Sequence, residues 1–265
     1  ETHVSAEEED QKVMAKIVSY CRERCKEDGR YQEHYTSIRS FVTTPENAVI
    51  AKDRLLYFQV KFPDETLRNL FLNMYEDFPL PKSNYRLCSH CGWTMTLAKG
   101  RWQCHSKTCN KEASKTNLDQ LPDDTTCRLK PGIHRFVLVP GLTEQKMAIR
   151  LSKEGYKVQI YPDVDKYDLR VWAGAKIIDI DVKEYSNPLR LVEYITKERA
   201  LYQATTSKFH DNAYIVIPGH LTDRRSGYMA RIKKDSKGNA TKIITEREVK
   251  GLLQGLRRAD SASNI

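Results

Sequence analysis

The sequence predicts an α+β protein with a helical first part, a cysteine-rich middle part and a C-terminal domain that mixes helices and strands. Three observations support this fold class. Apolar stripes with helical spacing run through about the first eighty residues, two cysteine pairs follow, and three short runs rich in β-branched and aromatic residues come later. We expect a helical domain at 1–82, a cysteine-rich module at 83–115, a linker at 116–133 and the mixed domain at 134–265.

The first part contains three predicted helices and no group of residues that indicates catalysis. The helices begin at N-cap or proline signals near Ser5, Pro45 and Asp64. Cys21 and Cys25 lie four residues apart on the first helix, so a metal or redox pair is one interpretation. We favour a half-buried apolar role for both, because no second ligand pair lies nearby. The helical part is also a candidate docking surface for a partner.

Residues 88–109 carry the strongest local signal. Cys88 and Cys91 form one close pair, and Cys104 and Cys109 form a second. Four thiolates can therefore meet at the vertices of a tetrahedron, the arrangement that structural Zn²⁺ takes. Gly92 permits the left-handed backbone that a cysteine knuckle needs. Because protein occupies all four positions, we expect a structural rather than a catalytic zinc. The pattern resembles a zinc ribbon.

Two other interpretations of the cysteines stay open. Two disulfides would also use four cysteines, but we recognise no secretory signal, and this favours a metal in a reducing compartment. His90 and His105 lie beside the ligands, and either could replace one of them. Arg101 and Lys107 would present positive charge on the rigid knuckle, where they could contact phosphates.

The C-terminal domain is predicted as helix, three strands, helix and strand. A short apolar run at 136–139 and a turn at Pro140 and Gly141 precede it, and Thr143 caps the first helix. The further elements are predicted at 158–161, 169–172, 177–182, 188–203 and 213–217.

Three charged side chains gather at the ends of two neighbouring strands in this domain. Asp168 begins one strand, and Asp181 and Lys183 lie two residues apart near the end of the next, so their side chains share a face. Mg²⁺ prefers oxygen ligands and typically takes only one or two protein carboxylates. A lysine beside the metal can orient or help to deprotonate a water and offset charge on a phosphate. An ordinary solvated pair of charged strands remains the alternative.

Asp168, a spacer and Asp181-Val182-Lys183 resemble the active-site signature of the PD-(D/E)xK, or restriction-endonuclease-like, nucleases. The resemblance implies that Asp168 and Asp181 bind Mg²⁺ or Mn²⁺ and that Lys183 serves the attacking water, with the Val182 carbonyl as a further ligand. The order of helices and strands agrees with the αβββαβ core of that fold.

Two assignments within the resemblance have rivals. A glutamate on the first core helix often completes such a site, which points to Glu144. Glu154 is the alternative. The non-functional interpretation is that Glu144 only complements the helix dipole. Pro162-Asp163 spells the family's "PD". We prefer Asp168 to Asp163, because Asp168 begins a strand whereas Asp163 lies in a turn.

The net charge of +9 favours a polyanionic partner, with nucleic acid ahead of an anionic membrane. No apolar run approaches the length of a membrane span. The last part of the chain is the densest basic segment, and we expect it to contact the phosphate backbone, although scattered solvated charges would look similar. The basic residues that we assign there are Arg224, Arg225, Lys233 and Lys234.

The zinc ribbon together with the nuclease motifs is similar to a narrower family, the endonucleases found beside prokaryotic PIWI-like proteins and helicases. That resemblance implies cleavage of invading DNA, or of an RNA–DNA hybrid, inside a cytoplasmic multi-protein complex, and a homodimer is left open. The alternatives are an inert zinc-ribbon subunit that binds nucleic acid and a scaffold of a defence or repair complex.

Overall fold

The computed structural model describes residues 6–79, 81–106, 109, 126–202, 212–223, 227–236 and 242–262. The chain forms two compact units, Glu1–Leu142 and Thr143–Ile265. Both units contain helices and strands, which confirms the predicted α+β class. The helical part and the cysteine-rich part lie in the same unit, so the four-part division at 1–82, 83–115, 116–133 and 134–265 stays a prediction.

The main helices of the first unit are α1 (Ala6–Arg24), α2 (Arg30–Val42), α3 (Lys52–Gln59) and α4 (Glu65–Leu72). Helix α4 begins at the predicted Pro63-Asp64-Glu65 signal, and Asp64 caps it by accepting the Leu67 amide. The predicted helix at Pro45 is instead a single 3-10 turn, Pro45–Asn47, followed by strand β1 (Val49–Ala51). Helix α2 was not predicted. It begins without a side-chain cap, so the sequence carries no start signal there.

A small antiparallel sheet includes the last part of the segment that was predicted as a linker. Strand β6 (Thr126–Leu129) lies between β1 and β2 (Tyr75–Asp77), with Cys127 opposite Ile50 on one side and Asp77 on the other. A strand of four residues bounded by turn-forming residues has too short a pattern to be recognised, and its neighbours in the sheet are far away in sequence.

The cysteine-rich part is a second antiparallel sheet, formed by β3 (Tyr85–Leu87), β4 (Thr94–Ala98) and β5 (Arg101–Cys104). Gly92 has the predicted left-handed conformation, with φ of +70°. A Cβ atom at this position would lie 1.9 Å from the Pro45 carbonyl oxygen, so only glycine fits. Trp93 donates its indole N–H to the Leu129 carbonyl at 2.8 Å, which attaches this sheet to β6.

The predicted turn at Pro140 and Gly141 and the N-cap at Thr143 are wrong, because one helical stretch runs through both positions. It consists of α5 (Pro131–Ile133), a π-helical turn (His134–Leu138) and α6 (Val139–Lys153). The wider π turn ends just before Pro140, whose missing N–H would interrupt the hydrogen bonds of a regular helix. The apolar run at 136–139 is therefore helical rather than extended.

The second unit is organised around a five-stranded sheet in the order β11-β10-β9-β8-β7. Strands β7, β8 and β9 pair antiparallel, and β9, β10 and β11 pair parallel. The elements are β7 (Lys157–Ile160), the turn α7 (Pro162–Asp165), β8 (Leu169–Ala173), β9 (Lys176–Val182), α8 (Pro188–Tyr202), β10 (Ala213–Ile217), α9 (Gly219–Thr222), α10 (Tyr228–Asp235), β11 (Ile243–Thr245) and α11 (Glu246–Ala262). The predicted order of helix, three strands, helix and strand is confirmed.

The two faces of this sheet differ. Alternate residues of β8 and β9, such as Val171 and Ile180, pack against α6 and α11 in one core cluster. On the other face, Ile215 and Ile217 of β10 pack with α8 and α10. The side chains that β8 and β9 turn to this second face are largely polar, so the acids of interest lie on it. Within the described ranges, no helix combines the length and the apolar character that crossing a bilayer requires.

Candidate active site and metal centre

The structure brings Asp168, Asp181 and Lys183 together at one edge of the five-stranded sheet. Leu169 pairs with Ile180, so Asp168 and Asp181, one step further along the ladder, lie opposite each other. The Val182 amide donates to Asp168 Oδ2 at 2.6 Å. Lys183 Nζ donates to Asp181 Oδ1 at 2.8 Å.

Burial and like charges make the Asp168 carboxylate reluctant to ionise. Its side chain is buried, and burial raises its pKa well above the usual value. The carboxylates of Glu144 and Asp181 raise the pKa further, whereas the ammonium of Lys183 lowers it. Burial opposes protonation of Lys183, but Asp181 and Asp168 outweigh it, so the pKa of Lys183 lies well above its usual value.

Glu144 is the predicted third acid, and the structure separates it from its rival. Glu144 is buried on α6 and its charge acts on Asp168. Glu154 follows ten residues later, just beyond the end of α6, so about 15 Å of helix separates the two. Glu144 is therefore the glutamate whose charge acts on Asp168, although the carboxylates of Glu144, Asp168 and Asp181 do not all lie within 4.8 Å of one another.

The turn before Asp168 has an unusual backbone. Tyr161, Asp163, Val164 and Asp165 all have positive φ values of 51° to 64°. Left-handed conformations cost a non-glycine residue roughly 1–2 kcal/mol each, and a β-branched valine is the least suited to them. The Tyr161 amide donates to the Asp168 carbonyl at 2.9 Å, so this turn fixes the backbone of the first acid.

A chain of ion pairs holds this turn to the sheet. The Arg170 guanidinium contacts Asp179 at 2.7 Å and Asp163 at 2.9 Å. Asp163 is thus paired with an arginine and half exposed, which supports the choice of Asp168 over Asp163. Sequence analysis did not identify the roles of Arg170 and Asp179. Arg170 and Asp179 lie two residues from Asp168 and Asp181, so they share a sheet face with these acids. This spacing is the feature of the sequence that could have identified them.

A second polar group on the other flank of the strand end was also missed. Glu184 accepts from the Thr143 hydroxyl at 3.0 Å and contacts His220 Nε2 at 3.0 Å. A lone histidine forty residues from the motif carries no local sequence signal, so only the fold reveals this pairing.

The four predicted zinc ligands do meet. Cys88, Cys91, Cys104 and Cys109 form no disulfide, and their sulfur atoms all lie within 4.8 Å of one another. Cys91 Sγ is 3.7 Å from Cys104 Sγ. A tetrahedral zinc with Zn–S bonds of about 2.3 Å would place its sulfurs roughly 3.8 Å apart, so the cluster fits this metal. In the part of the chain that the structure describes, this is the only group of three or more His, Cys, Asp or Glu ligand atoms that close together.

His134 contacts a cysteine of the cluster, and the alternative roles of His90 and His105 stay open. Its Nε2 lies 3.4 Å from Cys91 Sγ, and its ring stacks on Trp93 with the centroids 4.3 Å apart. His134 is fully buried at the start of the π-helical turn, so the helix anchors one ligand. The sequence did not indicate this contact with Cys91, because His134 is far from the cysteines along the chain.

The predicted nucleic-acid contacts are described only in part. Arg101 lies exposed on β5, and Lys233 and Lys234 are exposed on α10. Lys107, Arg224 and Arg225 lie outside the described residues. The assignment of these six residues to nucleic-acid binding stays a prediction.

Comparison with known proteins relates the C-terminal part of the chain to a protein family. Residues 141–259 match the family model described as "REase associating with pPIWI_RE". This match confirms the family resemblance for the part of the chain that contains the five-stranded sheet. No curated protein and no solved structure matches the chain.

Proposed function

We propose that this chain, whose residues 141–259 belong to the family of REase domains associating with pPIWI_RE, is a metal-dependent endonuclease that hydrolyses phosphodiester bonds of DNA. One observation carries the proposal. Asp168, Asp181 and Lys183 converge at the ends of β8 and β9, joined by the Val182 amide and by the ion pair of Lys183 with Asp181. A nuclease of this type needs two acids and a lysine around one cation.

The acids fit a hard divalent cation. Burial raises the pKa of Asp168 most, and the negative charges of Glu144 and Asp181 raise it further. A cation among these acids would relieve their repulsion, and oxygen ligands suit Mg²⁺ or Mn²⁺. We assign the metal to Asp168, Asp181 and the Val182 carbonyl, with Glu144 completing the site. Once bound, the metal would polarise the phosphate and make its water more acidic.

Lys183 serves the attacking water electrostatically. The carboxylates beside it keep it protonated, because they raise its pKa well above the usual value. An ammonium group donates hydrogen bonds and accepts none, so Lys183 orients the water and offsets charge that develops on the phosphate.

The zinc is structural in this proposal. Four cysteines occupy the tetrahedron, which leaves no position for a substrate, and His134 ties Cys91 to the helical part of the same unit. The cysteine module thereby becomes a rigid platform. Arg101 and Lys107 are assigned to phosphate contacts on it.

The substrate and partners follow from the family and the charge. The net charge of +9 suits DNA or an RNA–DNA hybrid, and the family description implies a PIWI-like partner. We assign the chain to a prokaryotic defence complex that also contains a helicase and acts in the cytoplasm against invading DNA.

The test compares Lys183→Ala with the wild type on plasmid and single-stranded DNA in the presence of Mg²⁺ or Mn²⁺. We expect cleavage to fall on the order of 10²–10⁴-fold, while folding and DNA binding persist. Lys176→Ala is the matched control, since Lys176 lies exposed at the opposite end of β9.

Cleavage by Lys183→Ala at the wild-type rate would show that the chemistry is wrongly assigned. DNA binding and zinc content without any cleavage by the wild type would instead favour an inert zinc-ribbon subunit or scaffold.

A further inference from the structure

His220 occupies an exposed position beside the proposed active site. It lies in α9, which follows directly after β10 and Pro218. Strand β10 runs parallel to β9, and the Lys183 amide donates to the Val216 carbonyl at 3.0 Å. The segment that bears His220 therefore leaves the sheet at the edge where β9 ends in Asp181 and Lys183, the edge at which ligands of parallel sheets bind.

The ring of His220 is held in one orientation. Its Nε2 contacts Glu184 Oε1 at 3.0 Å, and Glu184 Oε2 accepts from the Thr143 hydroxyl at 3.0 Å. The Glu184 side chain is only 13% exposed, whereas that of His220 is 40% exposed. The mostly buried carboxylate of Glu184 therefore holds one ring nitrogen of His220, while the rest of the ring is exposed to solvent.

The backbone of His220 is anchored as well. The amide of Gly219 donates to Glu246 Oε2 at 2.9 Å. The other oxygen of Glu246 contacts the Arg150 guanidinium at 2.6 Å. Two independent anchors, one on the ring and one on the preceding residue, fix the histidine, and such preorganisation distinguishes it from a solvated surface ion pair.

His220 and Lys183 lie on opposite flanks of the end of β9. Consecutive residues of an extended chain point to opposite faces, and here Lys183 turns to Asp181 while Glu184 turns to Thr143 on α6. In-line displacement at phosphorus also uses groups on two opposite sides of the phosphorus atom, because the attacking oxygen and the leaving oxygen lie on either side of it.

We propose that His220 is the proton donor to the leaving oxygen, positioned by Glu184. This inference rests on the proposed nuclease function. As the water oxygen forms its bond to phosphorus, the bond from phosphorus to the leaving oxygen breaks. The leaving oxygen takes the proton from Nδ1 of the His220 imidazolium, which becomes neutral imidazole while Nε2–H stays on Glu184. Solvent then returns a proton to the ring, and the attacking water releases its own.

The test uses two substrates that differ in the leaving atom. One is an ordinary DNA oligonucleotide, and the other carries sulfur in place of the bridging oxygen that leaves. A thiolate leaves without protonation, so it bypasses a general acid. We expect His220→Asn to cut the ordinary substrate on the order of 10²–10⁴-fold more slowly and the sulfur substrate at close to the wild-type rate.

Matched variants and a binding assay make the result decisive. Glu184→Gln keeps one acceptor oxygen for the His220 ring and removes the charge, and we expect a smaller loss on the ordinary substrate that sulfur also restores. His34→Asn, a histidine of the Glu1–Leu142 unit, should cleave both substrates like the wild type. DNA affinity of His220→Asn should equal that of the wild type.

Three outcomes would overturn the inference. Equal cleavage of the ordinary substrate by His220→Asn shows that no proton comes from this residue. An equal loss on both substrates shows a binding or structural role. If the wild type cleaves neither substrate, the proposed function itself fails, and the inference fails with it.

Discussion

Asp168 shows at the level of one residue how a functional group can oppose stability. Its carboxylate accepts the Val182 amide, but burial raises its pKa, and repulsion by Glu144 and Asp181 raises it further. Uncompensated buried charge destabilises a fold. A bound cation would compensate this charge. The repulsion that destabilises the metal-free site would therefore strengthen metal binding.

Replacing Asp168 by asparagine should separate these two effects. Asparagine keeps an oxygen for the Val182 amide and removes the repelled charge. We expect the metal-free variant to unfold at a temperature equal to or above that of the wild type, as measured by calorimetry. In the wild type, Mg²⁺ at a hundred times its dissociation constant should add about 2.7 kcal/mol of stability, and in Asp168→Asn it should add none. Strong destabilisation of the metal-free variant would contradict this account.

Asp64 is the opposite case, a carboxylate that the fold stabilises. It accepts the Leu67 amide at 2.8 Å and the hydroxyls of Tyr20 at 2.9 Å and Tyr31 at 2.7 Å. Burial opposes its ionisation, but these hydrogen bonds outweigh burial, so the pKa of Asp64 lies below its usual 3.8. The residue both caps α4 and joins it to α1 and α2.

The depressed pKa of Asp64 gives a pH-dependent contribution to stability. The contribution is complete above about pH 4, where the unfolded chain is also ionised, and is lost as the pH falls through the lower folded-state value. Asp64→Asn should lower the free energy of unfolding by about 1–3 kcal/mol at neutral pH. The difference from the wild type should shrink in denaturant titrations below pH 4. A constant difference down to pH 2 would contradict the assignment.

At the level of elements, the sequence predicted those whose pattern is local. Strand β10 (Ala213–Ile217) was predicted with its observed bounds, and β8 and β9 to within a residue, because β-branched runs end at clear turns. The same alternation placed Asp181 and Lys183 on one face, beside the start of the strand that follows Asp168. The order of strands in the sheet and the position of Glu144 beside Asp168 depend on packing between distant segments. The sequence pattern therefore made Glu144 a candidate but could not decide between Glu144 and Glu154.

The elements that the sequence missed lack such a pattern. Helix α2 has no cap signal, and β6 is only four residues long. The helix that continues through Pro140 contains a π turn, so its sequence pattern is irregular. His134 and His220 belong to the same class, because each contacts its partner across more than thirty residues. Their roles come from tertiary structure alone.

The cysteine module should depend on its metal. We expect about one zinc per chain, lost in Cys91→Ser together with a lower unfolding temperature of the Glu1–Leu142 unit. His134→Phe keeps the ring on Trp93 and removes the contact with Cys91 Sγ, so zinc should bind roughly 10–100-fold more weakly. Zinc content and competition with a coloured chelator measure both effects. Cys25→Ser is the control, and full zinc content in Cys91→Ser would refute the site.

For the whole molecule, charge and chemistry are separable. A net charge of +9 attracts any polyanion, and this attraction weakens steeply with salt whether or not the molecule cleaves anything. Binding therefore cannot identify the function. Hydrolysis requires in addition that acids, lysine and metal meet at the edge of the five-stranded sheet, and only a reaction reports on that.

The most direct measurement is cleavage of plasmid and single-stranded DNA with Mg²⁺ or Mn²⁺ by the wild type and by Asp181→Ala. Asp77→Ala, which removes an acid whose side chain is 88% exposed, is the matched control. The account predicts metal-dependent cleavage by the wild type and the control and none by Asp181→Ala, with DNA binding preserved in all three. Cleavage that survives in Asp181→Ala, or that proceeds in the presence of a chelator, would contradict it.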